Sequence, residues 1–173
     1  SSFGTEAAVL LHMVSEIDPE LPVIFLDTGK HFPETLTYLD ELTERLKLTA
    51  VKSVQPLPQA VEADDPTGLL HQSNPDLCCH VRKTIPMMQA LNGCKCWITG
   101  RKRGQAVTRS DIKTFEFQDR WIKLNPLADW TNTDVSHYYI EHDLPQHPLQ
   151  SLGYLSVGCS VCTKPVEPGA DPR

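Results

Sequence analysis

Four cysteines in two pairs carry the strongest chemical signal in this chain. Cys78 and Cys79 stand side by side in CCHVRK, and Cys159 and Cys162 form a C-x2-C in GCSVCTK. C-x2-C is a metal-ligand spacing. It also suits a redox pair, but such pairs open a helix, whereas Gly158 and the nearby prolines predict a rigid knuckle. Four thiolates from two distant segments make either a zinc site or an iron–sulfur cluster. Neighbouring side chains diverge, so adjacent cysteines fit a single tetrahedral zinc poorly. A cube of four irons offers separate corners. The donor set therefore favours a 4Fe-4S cluster, with zinc still open. A cubane held by four thiolates carries net negative charge, and burying it calls for compensation. Lys83 follows Cys79 by four residues, on the same helical face. Arg82 is the second candidate. Without the cysteines, both would read as surface cations.

Three loops offer anion chemistry. SSFGTE opens a predicted helix, so its backbone N–H groups and hydroxyls can face an anion with the helix dipole behind them. The ordinary alternative is an N-cap from Ser2 or Thr5. The eight-residue Walker pattern is absent, since no GK[ST] follows. DTGKHFPET follows a short apolar run, and Asp27, Thr28 and Gly29 predict a tight turn beside a ligand or a plain turn before a helix. TGRKRGQAVTR carries Arg101, Lys102, Arg103 and Arg109. A solvated charge run would explain it, but arginine is the forked donor suited to phosphate and sulfate. The other two of the six cysteines, Cys94 and Cys96, read as inert core residues in or near a buried strand. No metal-binding histidine pair stands out, and the three tryptophans read as packing residues.

The elements that must position these groups follow from periodicity. Helices are expected over Thr5–Ile17, Pro33–Leu46, Cys79–Leu91 (with a kink at Pro86) and Asn132–His142, the last capped by Thr131 or Asn132. A short helix is expected within Pro56–Asp65, and Thr67–Leu77 reads as irregular. Strands are expected over Pro22–Leu26, Leu48–Val54, Lys95–Thr99 and Arg120–Leu124. Strands alternating with helices predict an α/β fold with a parallel sheet covered on both faces. Ligands bind such sheets at the carboxyl ends of their strands, where all three loops fall.

A chain of 173 residues suits one domain with its own core. The net charge of −6 argues against a general nucleic-acid binder. No apolar run approaches the roughly 20 residues of a membrane span. No secretory signal opens the chain, which predicts a cytoplasmic protein with reduced thiols. SSFGTE reads as an internal motif and VEPGADPR as a loop, so the natural protein is expected to extend past both ends.

In order, SSFGTE, DTGKHFPET, CCHVRK, TGRKRGQ-x3-R, NPL-x-DW and GYLSVGCSVCTKPVEPGADPR resemble the assimilatory sulfonucleotide reductases, which reduce adenylyl sulfate (APS) or its 3′-phosphorylated relative PAPS. The resemblance runs over nearly the whole chain. The double cysteine with GC-x2-CT-[RK]-P is specific to the iron–sulfur branch, which is mostly APS-reducing. The resemblance implies a Rossmann-like fold of the adenine nucleotide α-hydrolase type, with its first strand missing from this chain. It implies a 4Fe-4S cluster on Cys78, Cys79, Cys159 and Cys162, with Lys83 linking cluster and substrate. Ser1, Ser2, Gly4 and Glu6 match the modified pyrophosphate loop. Asp27, Thr28 and Gly29 match a second nucleotide-side motif, and Arg82 lies beside Lys83. Gly100, Arg101, Arg103 and Gln105 match the basic loop, and Arg173 matches the first arginine of a C-terminal pair.

The implied chemistry is attack of a cysteine thiolate on the sulfur of APS, release of AMP, and liberation of sulfite by thioredoxin or a similar dithiol. In the family the nucleophile lies in a tail, Glu-Cys-Gly-Leu-His, that this chain does not contain. None of its six cysteines fits that role, so the chain as written is expected to bind substrate without reducing it. The usual basic loop, GRRRDQ, here has Gly104 in place of the acid. The rival readings are a PAPS or dual reductase, an adenylating sulfur-insertion enzyme, and a zinc-stapled nucleotide-binding module. The second rival would need an intact SGG-x-D[ST] loop, which SSFGTE lacks. No membrane or nucleic-acid partner is expected, and a homo-oligomer stays open.

Overall fold

The computed structural model describes residues 1–105, 109–118 and 120–166. The chain opens with α1 (Thr5–Ile17), β1 (Val23–Leu26), α2 (Pro33–Arg45) and β2 (Val51–Val54). β1 and β2 pair in parallel, with Val23 opposite Val51 and Leu26 opposite Val54. A parallel pair needs a crossover, and α2 supplies it. Pro33 stands in the first turn of α2, where its missing N–H costs nothing.

Short helices follow: α3 (Pro58–Asp64), α4 (Leu70–Ser73) and α5 (Pro75–Cys79). The segment expected to be irregular thus holds α4 and most of α5. Asn74 caps α5 by accepting from the Leu77 N–H. The helix expected from Cys79 begins at Pro75 and continues through a wide π turn, His80–Thr84, into α6 (Ile85–Ala90). Pro86 explains the wide turn. It has no N–H for the Arg82 carbonyl, and its ring crowds that carbonyl. The chain relaxes by closing the Ile85 N–H on the His80 carbonyl, five residues back.

A second sheet holds β3 (Cys96–Ile98), β4 (Phe115–Gln118) and β5 (Trp121–Leu124) in the order β3-β5-β4. β3 and β5 run parallel, and β4 and β5 antiparallel. β4 is absent from the sequence reading. Its two phenylalanines, Phe115 and Phe117, point outward and are well exposed, so no buried run announces it. Cys94 and Cys96 are also exposed, which overturns their reading as core residues. β3 lies at the sheet edge, and Cys96 stands opposite the exposed Ile122.

α7 (Asn132–Glu141) follows NPLADW. Thr131 caps it through a capping box with Asp134. The main core joins α1, β1, α2 and α7 through Phe3, Val9, Phe25, Tyr38, Leu42, Leu127 and Tyr139. α6 packs on β1 and β2. The result is an α/β fold with parallel ladders and helices packed against them, as expected from the alternation. No helix among the described residues is long and apolar enough to cross a membrane.

Candidate active site

The SSFG loop lies against β1. Phe3 is fully buried with a φ of 51° and packs edge-on against Phe25 of β1, ring centroids 5.7 Å apart. Ser1 and Ser2 stay exposed, and the Ser1 hydroxyl accepts from the Phe3 N–H. Gly4 is the N-cap of α1, and no side chain caps the helix. The N-cap reading of Ser2 or Thr5 therefore fails. Among the described residues the first-turn amides have no side-chain acceptor, which leaves them open to an anion. Glu6 turns the other way, towards Lys102, with Oε1 3.1 Å from Nζ. A Cβ on Gly100 would lie 3.3 Å from the Glu6 carbonyl oxygen, so this close approach favours glycine. The start of the basic loop is thus seated on the first turn of α1.

The DTG turn stands at the end of β1. Gly29 has a φ of +69°, which a side chain would strain. Asp27 accepts from the Gly29 N–H at 3.0 Å and from Gln55 Nε2 at 2.8 Å. Burial alone would raise its carboxyl pKa, but these bonds and His31 outweigh it and the net shift is downward. Thr28 is fully buried, with its hydroxyl 3.2 Å from Cys159 Sγ.

Arg82 is committed elsewhere than a ligand. Nε and Nη2 donate to Asp65 Oδ2 at 3.0 and 2.7 Å, and Nη1 donates to the Thr28 carbonyl at 2.9 Å. Both partners of the pair are buried. Arg82 thereby braces the DTG turn. Burial would raise the Asp65 carboxyl, but the Leu70 amide and Arg82 hold it below the usual range. Lys83 is half-buried and, among the described residues, forms no ion pair. Its charge acts on Cys162.

The two cysteine segments meet at the DTGK loop. His31 pairs with Cys159 as an isolated antiparallel bridge, and the Ser160 N–H donates to the Lys30 carbonyl at 2.8 Å. The CSVC turn is closed on itself: the Thr163 hydroxyl donates to the Cys159 carbonyl at 2.8 Å and accepts from the Gly158 N–H. Cys78 and Cys159 are buried, while Cys79 and Cys162 are exposed. Burial pushes the Cys162 thiol pKa up, and Cys159 and Cys79 push it further. Burial also raises the Cys78 thiol; Arg82 opposes this, while Asp65 and Cys79 add to it. Among the described residues no three His, Cys, Asp or Glu side chains group around a single ion position.

Every cation of the GRKRG segment has an acidic partner. Arg101 lies 3.5 Å from Glu116, and both are partly exposed. Lys102 is buried between Glu6 and Asn132, donating to Asn132 Oδ1 at 2.5 Å. Arg103 pairs with Asp129 and donates from Nε to the Ile112 carbonyl. Gln105 accepts from the Lys102 N–H at 3.2 Å and from Arg109. Gly104 meets open space, so packing does not explain its missing side chain. Arg173 lies outside the described residues. Sequence reasoning missed Lys30 and Asp65 and left Lys102 out of its site list. Their partners lie far along the chain, so no local pattern marks them.

Residues 1–165 match the phosphoadenosine phosphosulfate reductase domain. The whole chain is 52% identical to a Mesorhizobium japonicum protein named adenosine 5′-phosphosulfate reductase, covering 68% of that protein. It is 42% identical to a Gloeobacter violaceus protein named phosphoadenosine 5′-phosphosulfate reductase, covering 74% of it. The crystal structure of a Candida auris phosphoadenylyl-sulfate (PAPS) reductase in complex with phosphate superposes with a TM-score of 0.79. That match has 27% identity and covers 95% of this chain and 81% of the other. The family match spans both cysteine pairs and all three anion loops, and the chain belongs to the phosphoadenosine phosphosulfate reductase domain family.

Proposed function

We propose that residues 1–173 form the catalytic domain of a cytoplasmic, thioredoxin-dependent reductase that converts APS to sulfite and AMP in sulfate assimilation. The observation that supports this reading is the docking of CSVC on the DTGK loop, within a family match that spans both cysteine pairs. The four thiols fit a 4Fe-4S cluster as donors: all are free, they come from two segments, and Lys30, Lys83 and Arg82 supply positive charge beside them. Bound there, such a cluster would tie the two segments together and add a local field.

The chain's own residues bind and orient the substrate. The uncapped first turn of α1 offers N–H groups to the phosphosulfate, and Lys83, Arg101 and Arg103 add cationic donors. Arg101 reaches a ligand at little expense, because its pair with Glu116 is long and partly exposed. Asp27 shapes the turn, since both its oxygens already hold donors. The nucleophile is the cysteine of the Glu-Cys-Gly-Leu-His tail that the resemblance implies. Its thiolate attacks the sulfur of APS, the S–O bond to AMP breaks, and Cys–S–SO3⁻ forms. One thioredoxin thiolate then attacks the cysteine sulfur and sulfite leaves. The second thiol resolves the mixed disulfide, leaving thioredoxin oxidised. Cations around the sulfonate stabilise the charge that moves onto the departing AMP oxygen.

The test uses protein that carries the tail. Reduced thioredoxin and APS should give sulfite and AMP, and changing the tail cysteine to serine should abolish turnover. Full turnover by the serine variant would overturn the route. The Gloeobacter violaceus relative's name keeps PAPS as the second reading. Comparing kcat/KM for the two substrates decides between them.

A further inference from the structure

Asn125 belongs to no site expected from the sequence, yet its fully buried side chain bonds to both groups that hold Arg101. It stands immediately after β5, where its N–H donates to the Thr114 carbonyl at 2.8 Å. Its Oδ1 accepts from the Thr99 hydroxyl at 2.7 Å, and that same hydroxyl oxygen accepts from the Arg101 N–H at 3.4 Å. Its Nδ2 donates to the Lys113 carbonyl at 2.8 Å and to Glu116 Oε2 at 2.7 Å. Two acceptors face one end of the carboxamide and a hydroxyl faces the other, so chemistry fixes its orientation. Glu116 Oε2 is also the atom that faces Arg101, with Nη1 3.5 Å away. The neutral amide thus holds the shared oxygen while the guanidinium stands off. An unhindered guanidinium–carboxylate pair would close to about 2.8 Å. Lys123 stands opposite Glu116 in the β4–β5 ladder, but its ammonium lies over the Trp97 ring, 4.9 Å from the centroid.

We infer that Asn125 is a positioning residue for substrate binding: by holding Glu116 Oε2 it keeps the carboxylate from closing on Arg101, and so leaves the guanidinium free to meet the sulfonucleotide. This rests on the reading of Arg101 as a substrate donor given under the proposed function. Through Thr99 the same side chain steadies the Arg101 main chain, so the guanidinium is released without loosening the loop. A buried asparagine that merely tied β3, β4 and β5 together would act on stability, and its loss would weaken binding whether or not Glu116 carried a charge. An amide that restrains Glu116 acts through that charge.

Full-length protein with its tail cysteine changed to serine should bind APS without turnover. Five versions of it test the inference: the parent, Asn125→Ser, Glu116→Gln, Asn125→Ser/Glu116→Gln and Arg101→Gln. Titration calorimetry at low salt reads the Kd for APS. Serine is too short to reach Glu116, so Asn125→Ser frees the carboxylate to close on Arg101. Its Kd should rise about fivefold, the scale of one partly exposed ion pair set against the ligand, and added salt should shrink the effect. In the Glu116→Gln background the same substitution should change the Kd by less than about twofold, because no carboxylate remains to close. A parent-like Kd in Asn125→Ser would overturn the inference. So would an equal loss in both backgrounds, which is what a structural role alone gives. Should Asn125→Ser not fold, Asn125→Thr, which fills more of the site, replaces it and is read against the same two outcomes. A parent-like Kd in Arg101→Gln would overturn the substrate reading of Arg101 itself, which is a different failure from an indifferent Asn125.

Discussion

Lys102 and Glu6 form a nearly buried ion pair that ties the basic loop to the first turn of α1. Nζ and Oε1 are 3.1 Å apart, with Lys102 2% exposed and Glu6 26%. A contact beside it, the Gly100 approach to the Glu6 carbonyl, locks the same two segments. Removing Glu6 strands a buried ammonium with Asn132 as its remaining partner. Glu6→Gln should therefore destabilise the protein by about 2–4 kcal/mol. The double variant Glu6→Gln/Lys102→Met should cost less than the sum of its parts, since no unpaired charge remains. Urea unfolding of the four proteins checks this; additive penalties would mean the pair is not coupled.

Asp65 carries a pH dependence. Its folded-state pKa is depressed, so its contribution to stability is present above the ordinary carboxylate range of about 3.9 and is lost as pH falls through the lower folded value. Between about pH 5 and pH 3, wild type should lose more stability than Asp65→Asn. At neutral pH, Asp65→Asn should cost about 3 kcal/mol, because Arg82 keeps its charge in a buried site without a carboxylate. Thermal melts from neutral pH down to about pH 3 give both numbers.

Arg101 is held by a weak pair, and its release should help the ligand. Glu116→Gln removes the competing charge while leaving an oxygen that can accept from Asn125. Affinity for APS should rise by about two- to fivefold at low salt, with the gain shrinking as ionic strength increases. Titration calorimetry at two salt concentrations measures it. A loss of affinity would mean that Glu116 positions Arg101 rather than competing for it.

Thiol labelling should separate the six cysteines. In metal-free protein under native conditions, iodoacetamide should modify Cys79, Cys94, Cys96 and Cys162 before the buried Cys78 and Cys159. In cluster-loaded protein only Cys94 and Cys96 should react, because the other four would be metal-bound. Mass spectrometry of the peptides reads the order. Rapid labelling of all six in iron-loaded protein would exclude the proposed ligand set.

Gly29 tests the DTG turn. Its φ of +69° makes Gly29→Ala costly by about 1–2 kcal/mol. The shift should also loosen the Arg82 and Cys159 contacts on either side of Thr28. Denaturant melts, with Cys159 labelling rate as a second readout, should move together.

Much of the fold was legible because it rests on local periodicity. The apolar spacing of Thr5–Ile17, the proline opening α2 and the Thr131 cap all act within one or two turns of chain, and the structure keeps them. β4 was not legible, because its phenylalanines face solvent and its stability comes from pairing with β5. Cys94 and Cys96 were misread for the same reason. A short apolar run says that a strand forms, but not whether an edge leaves it open to water.

The sequence by itself determined the chemistry on offer: paired thiols, a serine–glycine loop opening a helix, a basic loop, and an order of motifs that identified the family. Residue type and short spacing suffice for those, because each depends on neighbours in the chain. Tertiary structure decided which charges meet. Arg82 went to Asp65, Lys102 to Glu6, and Lys30 to Gly68. The partners in those pairs are separated by 17 to 96 residues, as in Arg82–Asp65 and Lys102–Glu6. Only the folded chain brings them within reach, and only burial makes their pairing obligatory, because a charge removed from water must find its opposite.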